Sequence, residues 1–501
     1  MRAGLALLLL LALVGCAPLA EAREAQILST LADADLELIR SRPDLAAGKY
    51  VRMANDPYAF YRGVVPLFRR DAEDPSTEVG RTAFASDALP LSLGDAHVEN
   101  FGVLRAADGA FALEPNDFDG ADRFPYHWDL RRLSVGMVVA TRLSNDGDDA
   151  ARAAAIAETD SIVEETLRAY AEAMRAYADG APREAVDDSD PMDVSSLVAD
   201  AFRRSRRDQP TDTAPGDELN QLTEVTAEGR RFLRGSIDAE EPEHVFLDVP
   251  RFAYDALGPT LADYRETLVD PPAPAFFDVL DAVRELGTGV ASWPRVRVLV
   301  LVRGATDDPI DDVILEVKEL ADSGSPGWRG PYVIADSVPD RVRIASRRAW
   351  ARPDAEPLWG GATWLGMPVQ IRREAEMHKT LRVSRLVEDE GTPDDLRATG
   401  RTLGRLLARV HADPSTDPAA SRSIADAIDR DRDGFVSQEC AIAVAYADQV
   451  ERDHALFVRG LMRVGTRLGI PTDAYGRDRA SADWRALYGV PVAPPAIVGA
   501  P

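Results

Sequence analysis

The spacing of hydrophobic residues predicts that helices make up much of this chain. From about residue 150 to 177, apolar side chains recur every three or four positions, which is the period of an amphipathic helix. The same spacing occurs within residues 22–45 and at Trp128–Leu143. It occurs again from about residue 220 to about residue 286, and at 394–412 and 441–468. Residues 180–220 are instead rich in Pro, Asp and Ser, which predicts a surface insertion.

Strands are predicted in two parts of the chain. The first part has three short apolar runs, Leu91–Leu93, Phe101–Leu104 and Phe111–Leu113. In the second part, Val296–Val302 alternates and is rich in β-branched residues, and Val313–Lys318 follows after a turn at Gly304–Pro309. Two such runs around a short turn indicate a β-hairpin. Helices and strands together place the chain in the α+β class.

The first sixteen residues have the pattern of a lipoprotein signal peptide. A basic Arg2 precedes the apolar run Leu5–Val14, which is too short to span a bilayer, and Leu-Val-Gly-Cys at residues 13–16 resembles the bacterial lipobox. We expect cleavage before Cys16 and lipidation of its thiol, which would anchor the mature chain to the cell envelope, at the outer membrane or the periplasmic face. The alternative is a cleaved signal in which Cys16 is incidental.

Composition and charge exclude several classes of protein. The 84 acidic residues exceed the 58 Lys and Arg residues, so the net charge is −26, which opposes binding to nucleic-acid phosphates. Two cysteines cannot form a disulfide scaffold. A hydrophobic share of 45% and a charged share of 28% are ordinary for a globular protein and exclude a wholly disordered or polytopic membrane chain.

Two neighbouring segments carry the groups that phosphoryl transfer requires. Gly94–Asn100 reads Gly-Asp-Ala-His-Val-Glu-Asn, and Asn-Asp-Phe-Asp follows at residues 116–119. Such a reaction uses one carboxylate to accept the proton of the attacking hydroxyl, and an amide oxygen with a second carboxylate to hold Mg²⁺. Asp95 is the candidate base, and Asn100 and Asp117 are the candidate metal ligands. Asp119 is either a further acidic ligand or a turn residue.

These segments resemble the catalytic loop and metal-binding segment of the aminoglycoside and choline phosphotransferases. There, Gly-Asp-x-His-x-x-Asn precedes an Asp-Phe/Trp-x run, and Trp-Asp-Leu at residues 128–130 resembles the helix start that follows. Asp129 is then expected to cap that helix or to brace the loop, and His97 to brace it too. From about residue 45 to 465, the chain more closely resembles an uncharacterised bacterial family, the domain of unknown function 2252, which is grouped with kinase-like folds. The matching segments are 60–63, 94–102, 116–119, 128–130, 317–319 and 446–449.

The resemblance implies three further binding groups. Gly287 and Gly289 would form the phosphate-covering loop, although Gly-Thr-Gly also suits a simple turn. Lys318, in an apolar strand, would bind phosphates, although a strand-end lysine can also simply reach water. Arg62 would hold phosphate or the Asp95 loop, or form a structural ion pair.

The order of the motifs implies a circular permutation. In ordinary kinases the glycine loop and lysine precede the catalytic loop, whereas here they follow it, and the helix that normally leads into that loop resembles Leu406–Ala412. The resemblance therefore implies a circularly permuted, protein-kinase-like bilobal fold, with a helix-rich large lobe and a small β-containing lobe. The expected divisions are a signal peptide at 1–15, a linker and N-terminal helix at 16–45, the large lobe at 46–280, the small lobe at 281–375, further large-lobe helices at 376–480 and a flexible tail at 481–501.

The expected function is binding of Mg²⁺ with an ATP-like nucleotide or another phosphorylated ligand, with phosphoryl or nucleotidyl transfer to an unknown small-molecule or protein acceptor. The alternative is a non-catalytic envelope binding module on a degenerate kinase-like scaffold, with or without stabilisation by Ca²⁺. Two features favour the alternative. Arg341–Trp350, in the expected helix, lacks the glutamate that normally pairs with the lysine, and Glu316 and Glu319 are too close to Lys318 to replace it. ATP is also scarce outside the cytoplasm.

A second cation site is suggested by six residues near the C-terminus. Asp429–Gly434 reads Asp-Arg-Asp-Arg-Asp-Gly, which places Asp429, Asp431 and Asp433 at the first acidic positions of a calcium-binding EF-hand loop. The twelfth position, which should supply a bidentate glutamate, is Cys440. An acidic turn between helices is the favoured interpretation, with Ca²⁺ binding as the other. Cys440 itself is expected to be a buried thiol.

Overall fold

A computed structural model describes residues 19–143, 149–187, 195–210, 217–236, 244–286, 289–320, 334–374, 378–382, 393–471 and 487–488. The chain forms two compact units. The first comprises Met1–Gly80, Gly289–Pro294 and Ala445–Pro501, and the second comprises Arg81–Thr288 and Arg295–Val444. Signal-peptide residues 1–15, Cys16, Gly287 and the predicted tail 481–501, apart from residues 487–488, lie outside the described residues.

Helices occur along most of the chain, from residue 19 to residue 464. In chain order they are α1 (19–34), α2 (Leu36–Ser41), α3 (Pro43–Met53), α4 (Pro57–Gly63), α5 (Val65–Glu73), α6 (Tyr126–Leu143), α7 (Asp149–Ala178), α8 (Ser196–Asp208), α9 (Asp217–Leu222), α10 (Arg251–Asp255), α11 (Leu257–Arg265), α12 (Val338–Ala349), α13 (Pro393–His411), α14 (Ala420–Asp429) and α15 (Arg432–Val464). None of the described helices is long and apolar enough to cross a membrane.

Strands lie between residues 91 and 380. In chain order they are β1 (Leu91–Ser92), β2 (Phe101–Arg105), β3 (Phe111–Pro115), β4 (Asp122–Arg123), β5 (Thr223–Thr226), β6 (Gly229–Phe232), β7 (Gly235–Ser236), β8 (Val245–Asp248), β9 (Val279–Leu286), β10 (Arg297–Val302), β11 (Val313–Glu319), β12 (Gly360–Trp364), β13 (Met367–Arg373) and β14 (Lys379–Thr380). The α+β class is thereby confirmed.

The first unit is built from α1 to α5 and from the part of α15 that begins at Ala445. Its core contains the buried rings of Phe60 and Phe457, whose centroids lie 5.2 Å apart. Arg23 ties three elements together, because its guanidinium lies 2.6 Å from Asp71 and 2.5 Å from Asp453. The two carboxylates are almost wholly buried, and each has the Arg23 guanidinium as its cationic partner.

The second unit contains a seven-stranded sheet in the order β12-β13-β11-β10-β9-β8-β7, with every neighbouring pair antiparallel. The predicted hairpin is its β10–β11 pair, in which Arg297 lies opposite Lys318 and Val302 opposite Val313. β-branched and apolar residues suit this position, because strands in the middle of a sheet are covered on both faces. The sheet also includes β7 and β8, which precede residue 281.

A small three-stranded sheet and a group of long helices make up the rest of the second unit. The small sheet has the order β14-β2-β3 and carries the Asp117 segment directly after β3. The predicted helices near 128–143, 150–177 and 394–412 are confirmed as α6, α7 and α13. Helices α7 and α13 approach closely at Gly404, where a Cβ atom would lie 2.4 Å from the carbonyl oxygen of Thr166.

Two expectations from the residue pattern are wrong in part. The helical pattern expected up to residue 286 is confirmed only at α9, α10 and α11, whereas β5 to β8 and β9 are strands. Residues 180–220, expected to form a surface insertion, include α8, which is capped by the Ser195 hydroxyl and packs into the protein through its buried residues Leu197, Val198, Ala201 and Phe202.

Candidate functional site

The loop between β1 and β2 holds Asp95 in a defined orientation. One oxygen of its carboxylate accepts a hydrogen bond from Arg132 Nε at 2.7 Å, and the Arg132 side chain is fully buried in α6. The other oxygen lies 3.8 Å from Nε2 of His97. The Asp95 side chain remains 21% exposed, so a bound molecule can reach it.

Asn100 closes the same loop. The side-chain Nδ2 of Asn100 donates to the backbone carbonyl of Asp95 at 2.7 Å, and the backbone carbonyl of Asn100 accepts from the backbone N–H of Asn116 at 3.1 Å. The second bond connects the Asp95 loop to the segment that carries Asp117. Because Nδ2 is the amide donor, this contact leaves the Asn100 Oδ1 oxygen as the group that can bind a cation.

Asp129 braces the loop from α6. Its two carboxylate oxygens accept from the backbone N–H groups of Leu93 at 2.5 Å and Gly94 at 2.8 Å. Gly94 adopts a φ of 77°, which a glycine reaches at little cost. His411 Nε2 lies 3.4 Å from the same carboxylate, and Tyr170 holds the opposite ring nitrogen at 2.7 Å. Of the two roles expected for Asp129, the structure shows the brace.

Lys318 lies beside both acidic residues of the segment that follows β3. Its amine is 3.0 Å from Asp119 Oδ2 and 3.6 Å from Asp117 Oδ2. Burial alone would lower the pKa of Lys318, but Asp117 and Asp119 raise it above its ordinary value, so the amine carries a charge at neutral pH. Lys318, which is distant in sequence from Asp117 and Asp119, therefore forms one cluster with them.

The surroundings of Asp119 raise its pKa above the ordinary value. Burial raises the pKa of Asp119, the neighbouring charge of Asp117 raises it further, and Lys318 and Arg295 oppose this shift. The Asp119 N–H donates to Asp117 Oδ1 at 3.1 Å, which fixes the two carboxylates side by side. Asp119 Oδ1 is buried and has no hydrogen-bond partner among the residues that the structure describes. An acceptor of this kind is costly to bury unless a ligand completes it.

This acidic pair suits a divalent cation that is also held by a ligand. Within the described part of the chain, no group of three or more His, Cys, Asp or Glu side chains is arranged to hold a metal ion. Mg²⁺ commonly takes only one or two carboxylates and completes its shell with water and phosphate oxygens. Asp117 and Asp119 are therefore carboxylates whose chemistry suits Mg²⁺.

Helix α12 contributes an arginine that contacts the acidic segment. Arg341 donates to the backbone carbonyls of Asp119 at 2.9 Å and Ala121 at 2.5 Å. It thus holds the acidic segment through its main chain. Glu316 binds Arg297 and Arg372 instead of the lysine amine, and the Glu319 carboxylate accepts from Val296 N–H at 2.9 Å.

The residues directly opposite Lys318 in the sheet are polar. In the strand register, Arg297 on β10 and Gln370 on β13 lie directly opposite Lys318, and Arg372 lies opposite Glu316. Residues directly opposite in antiparallel strands present their side chains on the same face. Gln370 is 3% exposed, and its Nε2 has no hydrogen-bond partner among the described residues.

The other predicted ligand-binding residues belong to the first unit or lie outside the described residues. Gly289 has a φ of +76° in the segment 289–294 of the first unit, and its carbonyl accepts from Arg52 at 3.3 Å. Arg62 is also in the first unit, on α4, with its guanidinium 6.0 Å from the ring centre of Tyr58. Gly287, the partner of Gly289 in the predicted loop, is not among the described residues.

The candidate calcium loop joins two helices. Asp429, the last residue of α14, binds Arg175 and Arg432, each at 2.6 Å. Asp431 accepts from Gly434 N–H at 3.0 Å, and Asp433 lies 3.1 Å from Arg168. These carboxylates are used in ion pairs and turn hydrogen bonds, the arrangement expected of an acidic turn. Cys440 is buried as predicted, and burial raises the pKa of its thiol to about 11.

Sequence reasoning missed four residues that shape the site: Arg132, Arg341, Gln370 and His411. Arg132 carries a usable signal, because it interrupts the apolar face of α6 at a position that should be buried. Arg341 is distinguished in the sequence only as part of a helix without glutamate. Gln370 and His411 could not be identified, because their roles depend on strand register and helix packing.

The comparisons with known proteins identify a family but no characterised relative. A family model described as an uncharacterized protein conserved in bacteria, DUF2252, matches residues 40–460. No curated protein matches the chain. No solved structure matches it either.

Proposed function

We propose that this chain, which belongs to the bacterial family DUF2252, binds a phosphorylated ligand together with Mg²⁺ in the second unit and transfers a phosphoryl or nucleotidyl group from it. The observation that carries the proposal is the contact of the Lys318 amine with the carboxylates of Asp117 and Asp119. A lysine beside two acids is a common arrangement for neutralising phosphates, with the metal on the acids and the amine on the phosphate oxygens.

Each group has a distinct role in this proposal. Lys318 binds phosphate oxygens, since its charged amine is held at the cluster and its side chain keeps 14% of its surface exposed. Asp117, Asp119 and Asn100 hold the metal ion, which when bound neutralises phosphate charge. Asp95 accepts the proton of the acceptor hydroxyl, and Arg132 and Asn100 fix its position. Arg341 and Asp129 keep the two loops in place through backbone contacts.

We further propose that this arrangement is a circularly permuted kinase-like fold. Its support is the order of the parts: the Asp95 loop and the Asp117 segment come early in the chain, and the strand that carries Lys318 comes later. A site needs its side chains to be adjacent in space and not in sequence, so permutation preserves the chemistry. Lipidation of Cys16 at the cell envelope, where ATP is scarce, is also part of the proposal, so the donor is a phosphorylated ligand that need not be ATP.

Calorimetric titration of the full chain with Mg-ATP and other nucleotides tests the proposal. We expect binding that Lys318→Met weakens at least about tenfold, because a charged hydrogen bond to an anion is lost. Lys379→Met is the matched control, since Lys379 is also half-buried in the second unit and has its own partner, Asp208, at 2.9 Å. Absence of binding to every nucleotide by the folded protein would refute the proposal.

The alternative is a binding module without catalysis, and Arg341 is the observation that favours it. In the place of the usual glutamate, this arginine holds the backbone of the acidic segment, so no carboxylate of α12 orders the lysine. The two proposals differ in turnover. If the protein converts its ligand, Asp95→Ala abolishes conversion while binding and folding persist, whereas a binding module shows no conversion before or after the change.

A further inference from the structure

The sheet face beside Lys318 contains a buried amide donor, Gln370 Nε2, that has no hydrogen-bond partner among the described residues. Arg297 has carboxylate partners in Glu285 at 2.9 Å, Glu374 at 3.4 Å and also Glu316. Arg372 is satisfied by Glu316 at 2.5 Å. Gln370 differs from both arginines, because no described residue accepts from its Nε2.

The position of Gln370 associates this donor with the lysine. It lies directly opposite Lys318 in the β11–β13 register, so the two side chains stand on the same face of neighbouring strands. The amide is almost wholly buried, at 3% exposure. A buried donor without a partner costs free energy, and a ligand oxygen that also binds the Lys318 amine would remove that cost.

The same face is poorly suited to an aromatic base. Pockets that hold rings are lined mostly by apolar and aromatic side chains. Here, Arg297 and Gln370 lie directly opposite Lys318, and the adjacent Glu316 is engaged with Arg297 and Arg372. The apolar Leu299 shares this face but is itself buried in the core, at 1% exposure. A ring placed on this surface would press against ion pairs and gain little apolar burial.

We propose that Gln370 is a ligand-binding residue, which donates to an anionic oxygen held at the same time by Lys318, and that the ligand is a polyphosphate recognised through its phosphate chain rather than through a base. This inference rests on the proposed function and makes it more specific. The phosphate subsite is then formed by Lys318 on β11 and Gln370 on β13. A nucleotide base would make no specific contact on this face of the sheet.

The test compares Mg-tripolyphosphate with Mg-ATP and Mg-GTP by calorimetry on the full chain. We expect the dissociation constants of all three to agree within about tenfold. Gln370→Met keeps the size of the side chain and removes the donor, and we expect it to weaken all three about tenfold. Gln449→Met is the control, since Gln449 is a half-buried glutamine of the first unit, and we expect no change in binding.

The outcomes separate this inference from the proposed function. Failure of the folded protein to bind any of the three compounds overturns both. Binding of a nucleotide with tripolyphosphate more than about tenfold weaker overturns the polyphosphate inference and leaves the proposed function standing. Unchanged affinity in Gln370→Met, with circular dichroism showing a native fold, overturns the role of Gln370 in the same way.

Discussion

Asp129 and Gly94 are joined by a hydrogen bond of 2.8 Å that runs from the backbone N–H of the glycine to a buried carboxylate oxygen. The other oxygen of Asp129 accepts from Leu93 N–H at 2.5 Å. Helix α6 thus fixes the residue that immediately precedes Asp95. Since Arg132 from the same helix holds the Asp95 carboxylate, one rigid element sets both the backbone and the side chain of the candidate base.

The first prediction concerns this brace. Asp129→Asn keeps the shape of the side chain but leaves one oxygen acceptor for two backbone donors. We expect the free energy of unfolding to fall by about 2–3 kcal/mol, because one buried N–H then lacks a partner and a charged hydrogen bond is lost. Urea denaturation followed by circular dichroism measures the change. The same substitution at exposed Asp433 should leave the midpoint unchanged, and an unchanged midpoint in Asp129→Asn would contradict the brace.

Arg132 is predicted to act on Asp95 specifically. Arg132→Met removes the partner of the Asp95 carboxylate at 2.7 Å and leaves the α6 backbone intact. If the protein catalyses transfer, we expect a lower kcat with little change in KM, because orientation of the base matters in the transition state more than in ligand binding. Steady-state kinetics with Asp95→Asn and the double variant tests the pair. Additive effects of the two changes would show that Arg132 does not act through Asp95.

Arg341 is predicted to fix the position of Asp119 by binding the main chain of the acidic segment. Arg341→Met removes two hydrogen bonds to main-chain carbonyls, of Asp119 and Ala121. We expect unfolding to become easier by about 2–3 kcal/mol and Mg²⁺-dependent ligand binding to weaken, since Asp119 loses its fixed position. Arg343→Met, two residues away on α12 and paired with Asp340 at 2.7 Å, is the control. Equal effects of the two substitutions would argue against a special role for Arg341.

The sequence predicted helices and strands well where apolar residues recur at regular helical or strand spacing, as in α7 and the β10–β11 hairpin. It failed at Val279–Leu286, where Val279, Ala282, Val283 and Leu286 are spaced like the face of a helix. This segment is a strand between β8 and β10, and its last five residues are all buried, so alternation cannot mark it. In α8, a sound helical spacing was obscured by flanking Pro, Asp and Ser.

The candidate site was predictable only in part, for a similar reason. Asp117, Asp119 and Lys318 could be selected by residue type and by resemblance, but the distance between the lysine amine and the acids is a property of the folded chain. Gln370 is the clearest case of a residue that local sequence cannot identify. Its role follows from being opposite Lys318 in the β11–β13 register, and register is set by long-range pairing.

Calcium is predicted to have no effect on the α14–α15 connection. Asp429 and Asp433 are engaged by arginines, and Asp431 accepts from a backbone N–H. A Ca²⁺ ion would have to displace these partners without the bidentate carboxylate that normally completes its shell. We expect the melting temperature of the full chain to be the same in millimolar CaCl₂ and in EDTA. A rise with Ca²⁺ that Asp431→Asn abolishes would establish the loop as a calcium site.

Glu374 is predicted to make stability depend on pH. Burial raises the pKa of this carboxyl from its usual value to about 7, Arg297 opposes the shift, and Glu316 adds to it. Between about pH 4.5 and 7 the folded state therefore binds more protons than the unfolded state, so the free energy of unfolding falls as pH rises through this range. Because the side chain is 23% exposed and solvent screens part of the effect, we expect Glu374→Gln to be more stable than the parent by about 1–2 kcal/mol at pH 8. The difference should vanish near pH 4, where the carboxyl is protonated in both states. Urea titrations at pH 4, 6 and 8 measure it, and a gap that is constant across the three pH values would show that Glu374 does not titrate in this interval.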